Sequence, residues 1–481
     1  MTGARVMRTA SLVATALAAG CAAGPAPRAP TLDRLAVPDS FVATVPEGEP
    51  AQDSRWWQGF GDPLLAVLVE EALAANTDIE GAGARVRQSR AVLAASRAGF
   101  WPSLDASASV ARREAGATVA GTGGTLGTST ARTANVGLDA AYEVDLFGGT
   151  RRAVGAAGAD AEARLATLRS TQLTVAAETA LAYVDFRLAQ RRLAIARAAL
   201  GAQDGALEIA GWRVQAGLSG ALDLEQARQL RAQTAASIPT LERAVATARN
   251  RLAALLSAAP DRMATRLSTL GEIPGAPLAK VGIPAEVLRR RPDVAAAERT
   301  LVAEIARVGV RRAELYPALR LSGAFGGSAP TFGGAADAAI GSLVAGVTVP
   351  LFQGGRLRAA VEQQQAAAAA ALAGYRGAVY AALEETENAL VAADAAGRRE
   401  RELVTAESAA RAAAELARRQ YQTGLIDFRA LLEAERTLLS SEDARASARA
   451  ERAVAAVQLY KALGGGWEDA PEPATSSGAT P

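Results

Sequence analysis

A mostly helical α+β membrane protein, built from two copies of one structural unit, is the fold class this sequence predicts. Three observations predict it. The first is composition: half of the 481 residues are hydrophobic, yet only 4% are aromatic. Alanine supplies much of the difference, and an alanine-rich chain with interspersed Arg, Glu, Leu and Gln favours long, closely packed helices. The second is periodicity, which switches between 3.6 and 2 in both halves of the chain. The third is a set of landmarks that recur in one order.

The landmarks set the organisation. Asn76–Ala91 matches Arg290–Ala306 through Asp78 and Asp293. Phe100–Val110 (FWPSLDASASV) matches Leu315–Phe325 (LYPALRLSGAF). Tyr142–Arg152 (YEVDLFGGTRR) matches Val347–Arg358 (VTVPLFQGGRLR). Val214–Arg228 (VQAGLSGALDLEQAR) matches Tyr421–Arg436 (YQTGLIDFRALLEAER). The reading is an export signal over 1–20, an anchored tether over 21–55, a first repeat over 56–270, a second over 271–466, and a C-terminal tail over 467–481.

Within each repeat, alternation marks two strands. Leu104, Ala106, Ala108 and Val110 alternate with Ser103, Asp105, Ser107 and Ser109. Val136, Leu138, Ala140, Tyr142, Val144 and Leu146 alternate with smaller or polar residues. Leu319, Leu321 and Phe325 share one face, as do Leu343, Ala345, Val347, Val349 and Leu351. Strands are predicted at about 102–112, 134–146, 318–326 and 342–351. An apolar face backed by a polar one suits a membrane strand with lipid outside and water inside, although a soluble hairpin with one buried face shows the same alternation. Long glycine-rich loops at Arg112–Ala134 and Gly326–Gly341, and acids on the polar face, favour the membrane. Four strands cannot close a barrel, and lipid tolerates no open sheet edge. Copies must therefore share one: a dimer gives a filled barrel, a trimer gives twelve strands with room for a pore. Counting alone leaves both open.

After each strand pair comes a proline-free stretch, Gly149–Gln215 and Gly355–Thr423. A continuous helix of that length spans about 100 Å, and such length points to coiled-coil-like packing. Gly201, Gly205 and Gly211 predict a local irregularity in the first. Each helix is expected to stop at a Gly-Leu turn, Gly217-Leu218 or Gly424-Leu425, where glycine supplies the left-handed conformation, and to return in a second helix. Arg290-Arg291-Pro292-Asp293 reads as a helix entry, with Pro292 in the first turn and Asp293 at the positive helix end.

The rest of the composition excludes more than it proposes. The chain has 52 basic and 50 acidic residues, a net charge of +2, giving no reason to expect nucleic acid as a partner. It has no histidine and one cysteine, so a His-based triad, a His-ligated metal site and an internal disulfide are all excluded. No catalytic constellation is visible; the reading is of a non-enzyme without a cofactor. The N-terminus has Arg5 and Arg8, a short apolar run from Ser11 to Ala19, then Gly20-Cys21, and no acid before Asp33. That is an export signal. Ala18-Ala19-Gly20-Cys21 is similar to a bacterial lipobox, with Ala18 where leucine is commoner, which makes Cys21 the expected lipidation site; Ala22 after it gives no sign of inner-membrane retention. An ordinary secretory signal is the plainer alternative.

These residues resemble the outer-membrane factor family, TolC-like efflux channels, and within it the NodT/OprM-like lipoproteins of RND-type pumps. The resemblance spans nearly the whole mature chain. It rests on the cysteine after the signal, Trp56–Ile79, Arg290–Val294, the Leu-Phe-Gly turns, the two Gly-Leu turns and Leu459–Trp467 taken together and in order. It implies a homotrimer: a twelve-stranded β-barrel in the outer membrane, four strands per chain, continued by a twelve-helix periplasmic α-barrel. It also implies a periplasmic adaptor and an inner-membrane RND-type pump as partners, outer-membrane lipid around the barrel, and passive export of drugs or other small molecules.

The resemblance further implies site residues. Gly217, Leu218, Ser219, Gly424, Leu425 and Ile426 become the tips that meet the adaptor. Arg429, Glu433 and Arg436 lie at i, i+4 and i+7 on one helix face. The family places a periplasmic constriction there, with an acid matching Glu433 and an arginine matching Arg436; the position matching Arg429 is commonly apolar. Glu433 is expected to ring the pore, tied by Arg436 and capped by Tyr421. An exit duct for type I protein secretion, or a periplasmic coiled-coil scaffold lipoprotein, are the alternatives.

Overall fold

The computed structural model describes residues 37–43, 55–118, 125–277 and 283–465. The export signal, Cys21 and the 467–481 tail lie outside the described residues, as does most of the tether. Among the described residues the chain divides into two compact units, one gathering 87–118, 125–163 and 297–375, the other 37–43, 55–86, 164–277, 283–296 and 376–465. In chain order the elements are α1 (Pro63–Ala75), α2 (Thr77–Ala98), β1 (Ser103–Thr118), β2 (Thr125–Val144), α3 (Gly149–Gln215), α4 (Ala221–Leu255), α5 (Pro260–Arg266), α6 (Pro284–Arg290), α7 (Pro292–Ala313), β3 (Ala318–Ala329), α8 (Phe332–Asp337), β4 (Ile340–Thr348), α9 (Arg356–Gln422) and α10 (Phe428–Ala462). Helix lengths come in equal pairs: 22 residues for α2 and α7, 67 for α3 and α9, 35 for α4 and α10.

The first unit is built on one antiparallel sheet of order β1-β2-β3-β4, so β1 and β4 are its edges. Register aligns the apolar rows: Ala106 faces Leu138, which faces Phe325; Tyr142 faces Leu321, which faces Ala345. Side-chain period 2 then puts all of them on one face. Much of that face is bare, with Leu104 69% and Leu343 82% exposed. The other face carries Ser107, Asp139 and the Glu143–Arg320 ion pair at 3.1 Å. The strands depart from the predicted bounds. The first hairpin runs on to Thr118 and resumes at Thr125, shortening the expected Arg112–Ala134 loop. Cross-strand pairing continues past Arg112 in the same register, Arg113 facing Ala131 and Glu114 facing Thr130, and the threonines of the returning strand favour extended backbone. In the second hairpin β3 reaches Ala329, β4 stops at Thr348, and the expected loop holds the short helix α8. Only glycine fits at 327, where a Cβ would lie 2.1 Å from the Ala335 carbonyl oxygen.

In the second unit, α1 starts on Asp62, whose carboxylate accepts from the Leu64 and Leu65 amides, with Pro63 following. The same carboxylate accepts from the Tyr183 hydroxyl at 2.7 Å, and that hydroxyl accepts from Arg187 Nε at 2.9 Å. Arg187 is buried and also donates to Gln190 Oε1 and the Thr269 carbonyl. Around this chain packs the main core: Trp56 stacked on Tyr460 at 5.5 Å, with Leu65, Leu68, Phe186, Leu252 and Val457. The Arg-Pro-Asp segment enters α7 at Pro292. Buried Arg291 pairs with Asp293 and Glu385 and donates to the Ala462 carbonyl. From the tether, the Val42 and Ala43 amides donate to the Glu387 carboxylate at 2.7 and 3.2 Å.

Helix α3 is unbroken through Gly201, Gly205 and Gly211, where an irregularity was expected. Each glycine costs about 1 kcal/mol relative to alanine, too little to break a helix anchored on both sides. Helices α9 and α10 are laced by ion pairs: Arg399–Glu451, Arg452–Glu400, Arg411–Glu442, Arg445–Glu407 and Arg418–Glu435. Glu407 is buried. Desolvation pushes its carboxyl up, but hydrogen bonds from Arg411 and Arg445 outweigh it and hold the group below the ordinary carboxylate range.

Candidate functional site: the paired helix tips

Both tips lie in the second unit and are made by the same local chemistry. After α3, Gly217 takes φ +72°, its amide donates to the Val214 carbonyl, and the Leu218 amide reaches back to the Arg213 carbonyl at 2.8 Å. After α9, Gly424 takes φ +77°, its amide donates to the Tyr421 carbonyl, and the Leu425 amide reaches back to the Gln420 carbonyl at 2.8 Å. These are paired helix-ending motifs that satisfy terminal carbonyls. The usual companion of such a motif is a leucine folded back on its own helix. Here Leu218 is 70% exposed and Leu425 75% exposed, and Ile426 is half-buried. The second tip is the better capped: Asp427 accepts from the Ala430 amide at 2.9 Å, whereas Gly220 offers α4 no side-chain cap.

Beneath the tips, Ala210 of α3, Ala227 and Leu230 of α4, Ala417 and Tyr421 of α9, and Phe428, Leu431 and Leu432 of α10 form one small core. Tyr421 is its centre, fully buried, with the Phe428 ring edge-on at 5.6 Å. Arg213 crosses from the first hairpin to the second: its guanidinium lies over the Tyr421 ring at 4.9 Å and donates to the Tyr421 carbonyl at 2.8 Å. Burial pushes the Tyr421 phenol up, with Asp223 adding and Arg213 opposing, so it stays neutral. Its hydroxyl has no hydrogen-bond partner among the described residues, nor do Arg213 Nε and Ser219 Oγ.

The expected constriction residues divide. Arg429, Glu433 and Arg436 are exposed on the face of α10 opposite Leu431 and Leu438, with Leu432 buried at its edge. No ion pair joins Glu433 to Arg436 within one chain among the described residues. Tyr421 faces the core, against Arg213 and Phe428. Two residues escaped the sequence reading. Arg213 left no signal beyond a cation in the last turn of a helix, since no spacing ties it to residue 421. Glu435, paired with Arg418 on the inner face, lies between two residues that were singled out.

A family profile described as "Outer membrane efflux protein" matches residues 68–258 and 283–465. The chain is 33% identical over 447 residues to the pyoverdine export outer membrane protein OpmQ of Pseudomonas putida, covering 92% of this chain and 94% of that one. It is 31% identical over 476 residues to outer membrane protein OprJ of Pseudomonas aeruginosa, covering 96% and 98%. The solved outer-membrane channel OprN superposes with a TM-score of 0.81 at 36% identity, covering 90% of this chain and 98% of that one.

Proposed function

The chain belongs to the outer membrane efflux protein family, a family of transport proteins and not of enzymes, and from that premise we propose that it is the exit duct of a tripartite, RND-type efflux system. It is an outer-membrane efflux channel with a periplasmic extension. The observation that carries the mechanism is the open sheet: four strands, one bare apolar face, two unpaired edges. In lipid such edges must be closed by other copies of the chain. Three copies supply twelve strands and leave a water-filled lumen lined by Ser107, Asp139, Glu143 and Arg320. Helix α3 follows β2, and α9 follows β4, within a few residues, so three copies of α3, α4, α9 and α10 extend the conduit as twelve helices. The equal helix pairs of 22, 67 and 35 residues support a duplicated unit.

The conduit needs no chemistry of its own: the inner-membrane pump supplies the free energy and the duct supplies a path. Cys21 carries the lipid that tethers the mature N-terminus. The adaptor docks on the tips, where exposed Leu218 and Leu425 flank Gly217, Ser219, Gly424 and Ile426. Arg429, Glu433 and Arg436, exposed within one chain, meet their counterparts around the pore axis and narrow it. Tyr421 and Arg213 buttress that ring from behind by coupling the two hairpins. The mature protein inserted in a planar bilayer tests the reading: discrete ion conductance from a heat-modifiable trimer is expected. A monomer soluble without detergent would overturn it.

A further inference from the structure

The outward face of the sheet ends in a pair of charges. On β1 the apolar row Leu104, Ala106, Ala108, Val110 is continued, two positions on, by Arg112; on β2 the row from Val144 to Ala134 is continued by Arg132. The register sets Arg112 directly opposite Arg132, one outward row beyond Val110 and Ala134. Period 2 therefore places both on the lipid-facing side, while Arg113 falls on the lumen side. Both outward arginines are exposed. Arg112 pairs with Glu114 at 2.6 Å; Arg132 has no charged partner among the described residues.

Like charges directly opposite each other destabilise a strand pair. Glu114 pairs with Arg112, so the charge on Arg132 is the one left for a further anion between the two guanidiniums to offset. Their height names its source. Ala134–Val144 covers about 33 Å of strand at ~3.3 Å per residue, or about 25 Å of bilayer at the ~40° tilt of membrane strands, the height of an apolar band. Arg132 then stands about 5 Å beyond the band, at headgroup level. It does so at the hairpin end, away from the strand ends that lead into α3 and α9, which is the exterior side; the short helix α8 of the second hairpin lies at the same end. We propose that Arg112 and Arg132 form a binding site for a phosphate of the outer-leaflet lipid. The site rests on the outer-membrane reading above and adds a specific lipid to it. Paired guanidiniums suit a phosphate through charge-assisted, two-pronged hydrogen bonds. Glu114 offsets one of the two charges, so attraction comes from the local pair and not from a broad basic surface. The exposed Val110, next on the outward row of β1, gives the lipid's acyl chains an apolar seat that free phosphate lacks.

The test uses the full-length protein in detergent with purified lipopolysaccharide, its dephosphorylated form, and inorganic phosphate at equal concentration. The native protein is expected to bind the phosphorylated lipid about tenfold more tightly than the dephosphorylated one. Arg112→Gln with Arg132→Gln should lose that factor, Arg113→Gln should keep it, and inorganic phosphate should not compete. Equal affinity for both lipids, equal loss in Arg113→Gln, or full competition by inorganic phosphate would each overturn the site. Conductance is recorded for every variant. A conducting double variant with native lipid affinity refutes the site and leaves the channel; a non-conducting native protein refutes both.

Discussion

Replacing Tyr421 by alanine removes the centre of the tip core, and replacing it by phenylalanine removes only a hydroxyl. The two substitutions should therefore separate. The side chain is 1% exposed, with the Phe428 ring at 5.6 Å and the Arg213 guanidinium at 4.9 Å. Truncating a buried aromatic to alanine costs about 3–5 kcal/mol. Within that, the ring pair contributes about 0.5–1.5 kcal/mol and the cation–ring contact about 1–2 kcal/mol. The Arg213 bond to the Tyr421 carbonyl survives either change, because it uses the backbone. The hydroxyl has no partner, so Tyr421→Phe should be neutral or stabilise by up to ~1 kcal/mol, the cost of an unmade buried hydrogen bond. At 1.4 kcal/mol per tenfold, local opening makes amide exchange over 424–430 roughly 100-fold faster or more in Tyr421→Ala, and unchanged or slower in Tyr421→Phe. Hydrogen–deuterium exchange on the assembled channel reads both. Exchange in Tyr421→Phe as fast as in Tyr421→Ala would refute the reasoning. It would show that the hydroxyl carries the contact, as capping of Glu433 requires.

On the proposal that Glu433 and Arg436 ring the pore, Glu433→Gln with Arg436→Gln should raise the single-channel conductance of the isolated channel; an unchanged conductance would count against these residues. Leu218→Asp with Leu425→Asp should abolish efflux in cells while leaving conductance and oligomeric state intact, since both leucines are exposed and touch no core. Asp427→Ala removes the cap of α10, costs about 1 kcal/mol, and should speed exchange of the Ala430 amide, with no counterpart at the uncapped Gly220. Glu407 is held below the ordinary carboxylate value, so its stabilisation is full above the unfolded pKa, about 4.3, and disappears as pH falls through the lower folded value. Glu407→Gln should flatten the acid limb of oligomer dissociation followed by gel mobility below about pH 4, and equal acid sensitivity would refute that assignment.

What the sequence made legible follows from how local each determinant is. The Gly-Leu turns could be read because a left-handed residue after a helix has a narrow chemical signature, and both stand at Gly217 and Gly424. The strand faces could be read because one residue of slip would turn Leu138 and Phe325 to the wrong side. The strand ends could not: past Arg112 nothing local distinguishes a paired Thr118 from a loop threonine, and only the partner strand decides. Nor did the glycines at 201, 205 and 211 decide anything against 67 residues of anchored helix. At the site the division is sharper. Arg429, Glu433 and Arg436 share a face by spacing alone, and the structure keeps them on it. Tyr421 and Arg213 are joined across 208 positions of chain, a contact set by which hairpin packs on which. Sequence periodicity therefore gives the charged face of α10, while the strength with which that face is held comes from a pairing that periodicity cannot express. The same asymmetry holds at the tips: their shape is fixed by local turns, and their packing on one another depends on a few long-range contacts, Arg213 on Tyr421 first among them.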